Sequence, residues 1–215
     1  YRWVLRNPSD AELGEKLGMR KPVDNDLYDL AVVGGGPAGL AAAYHLLLLG
    51  HRVTVRDSGS KPGGMMRYGI PAYRLGRDVL DAEIQRIVDM GVTLELDTPV
   101  SDAADALHEE GFDAVFLAVG AHLSRRTDIP AGDSAKIVDA VTVLRSMEGE
   151  EPPMLGRRVA VYGGGNTALD VARTARRLGA TEPLVVYRRT RDRMPAHDIE
   201  LEEAVEEGVQ VRWLS

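Results

Sequence analysis

Apolar and polar positions run through two similar cycles along the chain. In the first, the β-branched run Leu30 to Val33 meets glycines at 34, 36 and 39, and the apolar stretch Leu40 to Leu49 follows at once. A short apolar run closed by glycine predicts a buried strand, and the longer stretch predicts a helix, so the order is strand, tight turn, helix. After Gly50, HRVTVRD predicts a second strand with Val53 and Val55 on one face and Asp57 at its C-terminal tip. From Arg77 to Met90, Val79, Leu80, Ile84, Ile87 and Val88 recur at helical spacing. VTLELD predicts a strand, Asp102 to Glu110 a short helix, and FDAVFLAVG (112–120) an apolar strand ending in glycine. Asp139 is placed to cap a helix ending near Met147. The stretch 58–76 is glycine- and proline-rich and irregular, and residues 121–136 read as a loop. Upstream, Ser9 or Asp10 can cap a short helix through Leu17 that Gly18 stops, and a polar lead-in follows.

EGEEPPMLG (148–156), acidic and interrupted by Pro-Pro, is the clearest linker, and past it the pattern restarts. RRVAVYGGGNTALDVARTARRLGA is again strand, glycine turn and helix, with Gly163 and Gly165 in place and Ala168 where a third glycine would stand. PLVVY predicts the next strand, Ala196 to Glu207 a helix, and VQVRWL a further strand. Strands alternating with helices make an α/β chain with parallel, doubly wound sheets. The boundaries fall as an arm at 1–28, a first domain at 29–147, a linker at 148–156 and a second domain at 157–215.

Both glycine turns have the mechanics of a dinucleotide site. Gly34 turns the chain, Gly36 lets a pyrophosphate approach the backbone, and Gly39 lets the helix pack close to the strand. Pro37, at the first helical position, loses no hydrogen bond, and the helix N-terminus offers N–H groups and partial positive charge to phosphate. Asp57 stands 23 residues after Gly34, the range for a carboxylate that binds ribose hydroxyls. The first site therefore takes an adenosine without a 2′-phosphate, and the turn leaves both FAD and NAD open. The second strand of the second cycle ends in Arg188 and Arg189, which fit a 2′-phosphate through charge-assisted hydrogen bonds. Two sites of different selectivity in one chain point to a hydride passed between two cofactors. In the irregular stretch, Gly63 and Gly64 would let the backbone press on a flat ligand, with Arg67 and Arg74 in reach of polar oxygens.

Composition narrows the chemistry. The net charge of −7 argues against a nucleic-acid partner. Locally the balance reverses, since residues 157–193 hold nine arginines against three acids. Arg173, Arg176 and Arg177 on the helix read as a solvated face. The absence of cysteine removes disulfides, thiolate-bound clusters and a redox dithiol from these residues, so electrons that leave a flavin here go outside them. The five histidines show no metal-ligand or triad spacing, and neither a catalytic side chain nor a metal site is expected. No leader and no membrane span are evident, which gives a cytoplasmic location as the expectation.

GGGPAGLAAAY, GGMMRYGIPAYRLGRDVLDAEI, FDAVFLAVGA, GGGNTALDVARTARRLGA and VYRRTRDRMPA with EEAVEEGV, in this order, resemble the small (β) subunit of NADPH-dependent glutamate synthase over about residues 29–213. The resemblance implies two Rossmann-like domains in a glutathione-reductase-like FAD/NAD(P)-binding fold. It implies FAD at the first site, with Gly34, Gly36, Pro37, Ala38 and Gly39 at the pyrophosphate, Asp57 at the ribose, Gly63, Gly64 and Arg74 in the flavin loop, Val100 at adenine and Gly120 closing the flavin strand. It implies NADPH at the second, with Gly163, Gly165, Asn166 and Thr167 at the pyrophosphate, Arg188 and Arg189 at the 2′-phosphate, and Arg193 assisting. The activity implied is NADPH-to-FAD hydride transfer, with electrons passed to an iron-sulfur or other redox partner outside the chain. Three departures stand out: the family's cysteine-rich N-terminal region is missing, Gly76 replaces a proline, and AVG at 118–120 replaces ATG. The family's chain also returns to complete its FAD domain, so both domains are expected to be incomplete and the chain to be a piece of a longer polypeptide. Two rival readings are a non-catalytic dinucleotide-binding or assembly module, and a thioredoxin-reductase-like enzyme, which the lack of CxxC disfavours.

Overall fold

A computed structural model describes residues 27–108, 111–121, 136–149 and 151–214. The expected helix at 9–17, the lead-in and nearly all of the loop at 121–136 lie outside the described residues. The chain forms two compact units, Tyr1–Met66 with Leu75–His122, and Arg67–Arg74 with Leu123–Ser215.

In the first unit, β1 (Asp29–Val33) leads to α1 (Pro37–Leu48), β2 (Arg52–Arg56), α2 (Met65–Tyr68), α3 (Arg77–Asp89), β3 (Thr93–Glu95), α4 (Ala103–His108) and β4 (Ala114–Leu117). Its sheet runs β3-β2-β1-β4, and every pair is parallel. The central strands of a parallel sheet are covered on both faces and therefore read as continuous apolar runs. β1 fits, with Ala31 and Val32 wholly buried. Val32, Ala43, Leu47, Val53, Val55 and Val92 form one core cluster, and Leu40, Leu80 and Ile84 form another where α1 meets α3. Of the helical stripe expected in 77–90, Leu80 and Ile84 belong to the second cluster, Val88 packs on it and Ile87 packs on both, while Val79 is exposed.

Two strands are shorter than their apolar runs suggest. β3 stops at Glu95 because Asp97 adopts a left-handed φ of 52° and its N–H bonds Gly59 O. β4 covers only 114–117, and the edge it forms leaves Phe116 and Leu117 exposed. The stretch 58–76 contains a helical turn, α2, which runs into the Arg67–Arg74 segment that packs in the second unit.

The second unit repeats the plan. α5 (Ala140–Ser146) is capped by Asp139, whose carboxylate accepts the Thr142 N–H at 3.0 Å. β5 (Arg158–Tyr162), α6 (Asn166–Arg177), β6 (Glu182–Tyr187), a 3-10 turn at Arg191–Arg193, α7 (Asp198–Glu206) and β7 (Gln210–Trp213) follow. The sheet runs β5-β6-β7, all parallel. Every residue of α6 from Ala168 to Ala175 is buried, and the core gathers Val143, Leu144, Val161, Leu169, Ala172, Val185, Leu201 and Val209. α7 begins at Asp198, two residues later than its pattern suggests, because the Ala196 N–H is drawn to Gly164 O at 3.1 Å. Among the described residues no helix is long and apolar enough to cross a membrane.

Candidate functional site

The first turn is a backbone cradle. Gly34 has φ 111°, and a Cβ on it would overlap the Ala118 carbonyl. A Cβ on Gly39 would overlap the Gly34 carbonyl oxygen, so the third glycine sets how closely α1 approaches β1. Gly36 precedes α1 without any side-chain cap, and Pro37 and Ala38 are exposed at its start. The helix N-terminus is thus left to whatever anion the turn receives. Gly64, with φ 50°, lies so close that a Cβ on it would stand 2.6 Å from Gly36 Cα. The Gly63 N–H donates to Gly35 O at 2.8 Å. The 58–76 stretch therefore covers the first turn with its two glycines, where any side chain would fill the space.

Asp57 sits at the tip of β2 with its carboxylate held by backbone. One oxygen accepts the Gly35 N–H at 2.6 Å and the other the Gly59 N–H at 2.7 Å. Each oxygen keeps a lone pair for a hydroxyl. The Thr98 N–H bonds Asp57 O at 2.9 Å, and Val100 follows it, half-buried. Gly120, exposed, takes φ 70° just past β4.

The second turn is built from side chains as well as backbone. Gly163 is followed by Gly164, where a Cβ would strike the Tyr187 ring, while nothing approaches Gly165. The Tyr187 hydroxyl donates to Arg193 O at 2.6 Å, and the Asn166 side-chain oxygen accepts the His197 N–H at 3.0 Å. Together with the Ala196 bond, these tie the loop 190–197 around the turn. Thr167 is exposed at the start of α6. The buried Ala168 fits 3.4 Å from a Cβ placed on Gly163, so the third position needs no glycine.

The arginines of 157–193 divide into two sets. Arg188 and Arg189, just past β6, are exposed and pair with no acid among the described residues. Arg193 beside them makes one long contact to Asp192, at 3.5 Å. Arg173 and Arg177 bond Glu207, and Arg176 bonds the Glu207 and Ala180 carbonyls. The expected solvated face is therefore wrong for Arg173, which is 5% exposed. Burial disfavours its charge, but the hydrogen bond to Glu207 and nearby acids outweigh that and raise its pKa. The bond from Arg173 likewise holds Glu207 below the usual carboxylate range.

Arg74 ends the Arg67–Arg74 segment of the second unit. Its guanidinium bonds both Asp170 oxygens at 3.0 Å, and also Glu200. Asp170 is 4% exposed on α6; burial pushes its carboxyl up, partly offset by Arg74. Tyr73 lies under Arg177 and Arg173, at 4.1 and 4.8 Å from the ring centre. Its hydroxyl is pushed up to about 12 by burial and the Asp170 charge. Tyr187, Asp170 and Tyr73 escape a sequence reading, which gives no distance between residues so far apart along the chain. The one signal available was Asp170 itself, a carboxylate in the middle of an apolar helical stripe.

A family model described as pyridine nucleotide-disulphide oxidoreductase matches residues 28–215. The NADP(+)-dependent formate dehydrogenase subunit beta of Moorella thermoacetica is 43% identical over 189 residues, 86% of this chain and 27% of that protein. The glutamate synthase [NADPH] small chain of Azospirillum brasilense is 34% identical over 224 residues, 98% of this chain and 44% of that one. The chain thus spans less than half the length of either relative. Among solved structures, Mycobacterium tuberculosis FprA in complex with NADPH superposes with a TM-score of 0.69 at 23% identity, over 85% of this chain and 48% of FprA. At that identity the likeness speaks for the fold.

Proposed function

Because the chain belongs to the pyridine nucleotide-disulphide oxidoreductase family, we propose that it carries the FAD and NADPH sites of a flavoprotein oxidoreductase related to the glutamate synthase small chain. Its two units then correspond to FAD-binding and NADPH-binding domains, with α5 and the 148–156 linker on the NADPH-binding side of the division. When bound, the flavin accepts a hydride that the reduced nicotinamide donates. In the first unit Gly34, Gly36, Pro37, Ala38 and Gly39 present the α1 N-terminus to the pyrophosphate. Asp57 holds the adenosine ribose, and Gly63 and Gly64 close over the turn. Val100 and Gly120 lie at adenine and at the end of the flavin strand.

In the second unit Gly163, Gly165, Asn166 and Thr167 present the α6 N-terminus to the other pyrophosphate. Arg188 and Arg189 hold the 2′-phosphate, with Arg193 beside them. The observation that carries the reading is the contrast at the two strand tips: a backbone-held carboxylate at Asp57, against two arginines at 188 and 189 that meet no acid among the described residues. A carboxylate repels a 2′-phosphate and unpaired guanidiniums attract one. No side chain need act as acid or base, so the protein's part is binding and placement. Electrons then leave for a partner or domain beyond these residues, by analogy with the relatives. An absorbance spectrum of the purified protein before and after anaerobic NADPH tests this. Flavin bands that bleach are expected; flavin bands that persist, or protein that takes up no FAD, would favour a non-catalytic assembly module.

A further inference from the structure

Within the second unit, one side chain makes a different contact at each end. Tyr187, buried at the last position of β6, lays its ring so close to Gly164 that a Cβ on that glycine would stand 2.4 Å from a ring carbon. Its hydroxyl donates to Arg193 O at 2.6 Å. The backbone between Tyr187 and His197 is an arch. It leaves β6 at Arg188 and Arg189, makes the 3-10 turn Arg191–Arg193 and returns to the glycine turn. The Arg193 N–H bonds Thr190 O and the Met194 N–H bonds Arg191 O, at 3.1 and 3.0 Å. At the return, Met194 and Ala196 pack on the core, and the Ala196 and His197 N–H groups bond Gly164 O and the Asn166 side chain. The two bonds inside the arch are local, whereas the Tyr187 hydroxyl joins its middle to the end of the sheet. Arginines stand at 188, 189, 191 and 193, and such closely spaced like charges repel one another. Against them stand only exposed contacts, from Arg191 to Glu202 at 3.4 Å and from Arg193 to Asp192 at 3.5 Å, among the described residues. A phenylalanine would fill the same space beside Gly164, so what the hydroxyl adds is a fixed place for the arch.

We propose that Tyr187 is a specificity-determining positioning residue, whose hydroxyl holds the arginine arch ready for a 2′-phosphate while its ring supports the turn that meets the pyrophosphate. The inference rests on the NADPH reading of the second unit. Ordering a binding loop in advance raises affinity by removing the cost of ordering it on binding. That gain reaches only a ligand that touches the arch, so the hydroxyl acts on NADP+ and spares NAD+.

The test uses the full-length holoprotein, the variants Tyr187→Phe and Gly164→Ala, and calorimetric titration with NADP+, NAD+ and adenosine 2′,5′-bisphosphate. In Tyr187→Phe the Kd for NADP+ and for the bisphosphate should rise about tenfold, the scale of one lost hydrogen bond, with NAD+ within about twofold of wild type. Hydrogen exchange at the Arg193 and Met194 amides should accelerate about tenfold, while β5 and β6 amides keep their wild-type rates. Gly164→Ala, which forces ring and turn apart, should weaken NADP+ and NAD+ alike. Unchanged bisphosphate binding in Tyr187→Phe, equal loss for both dinucleotides, or unchanged exchange in the arch overturns the positioning role alone. A wild type that binds NAD+ as tightly as NADP+ overturns the 2′-phosphate reading, and the inference with it.

Discussion

The two glycine turns use the same backbone route and different means of holding it. At the first, packing is carried by glycine: α1 approaches β1 so closely that a Cβ on Gly39 would overlap the Gly34 carbonyl, and Asp57 ties the turn to the β2 tip through the Gly35 N–H. At the second, Ala168 occupies the equivalent place, and an aromatic side chain, Tyr187, presses against Gly164 instead. A dinucleotide turn therefore fixes the strand, the bend and the helix N-terminus, while the third small residue and the strand tip remain free to differ. That freedom lets one chain hold two turns of opposite electrostatic preference.

The comparison can be broken where it is sharpest. Gly39→Val should remove FAD retention and lower the melting temperature of the first unit by many degrees, since overpacking a closed contact costs about 1–3 kcal/mol or more. The reciprocal Ala168→Gly adds only the helix-interior penalty of about 1 kcal/mol. Calorimetry of both variants checks the pair, and equal losses would refute the distinction.

Next in size is Arg188→Ala with Arg189→Ala. The double should weaken NADPH binding by roughly a hundredfold, as expected for lost charge-assisted hydrogen bonds of about 1.5–3 kcal/mol. NADH affinity should barely move, and fluorescence titration with both nucleotides decides. A smaller effect separates the engaged arginines from the unpaired ones. Glu207 has its pKa lowered by Arg173, so its contribution to stability is present above the ordinary carboxylate value and is lost as pH falls through the lowered one. Glu207→Gln should therefore melt below wild type by a few degrees at neutral pH, with the gap narrowing on acidification. A gap that grows with acid would reverse the assignment.

Much of this was legible from the chain because the signals are local. The LAVVGGGPAG and AVYGGGNTAL runs encode period, turn and cap within ten residues, and Asp139 and Asp102 mark helix starts that the structure keeps. Strand ends were harder to read. The apolar run 112–120 extends beyond the four residues that pair, because ladder length depends on β1 and not on the run itself. Hardest of all were contacts joined only in space. Arg74 stands in a stretch whose sequence suggests a flavin loop, yet its charge is met by Asp170 and Glu200. Arg173 looked solvated because helix arginines usually are, and its burial is offset by the Tyr73 ring and the carboxylates of Glu200, Glu203 and Glu207.

The ring that presses on Gly164 has an optical consequence. Tyr187 meets Trp213 edge to plane, with ring centres 6.3 Å apart. Only one other tryptophan, Trp3, is present in the sequence. The second turn therefore sits one aromatic ring away from an indole, whose emission can be quenched by energy transfer to a nearby dihydronicotinamide. In a Trp3→Phe background the protein would carry its own fluorophore for that turn, and occupancy could be followed by light without any added label.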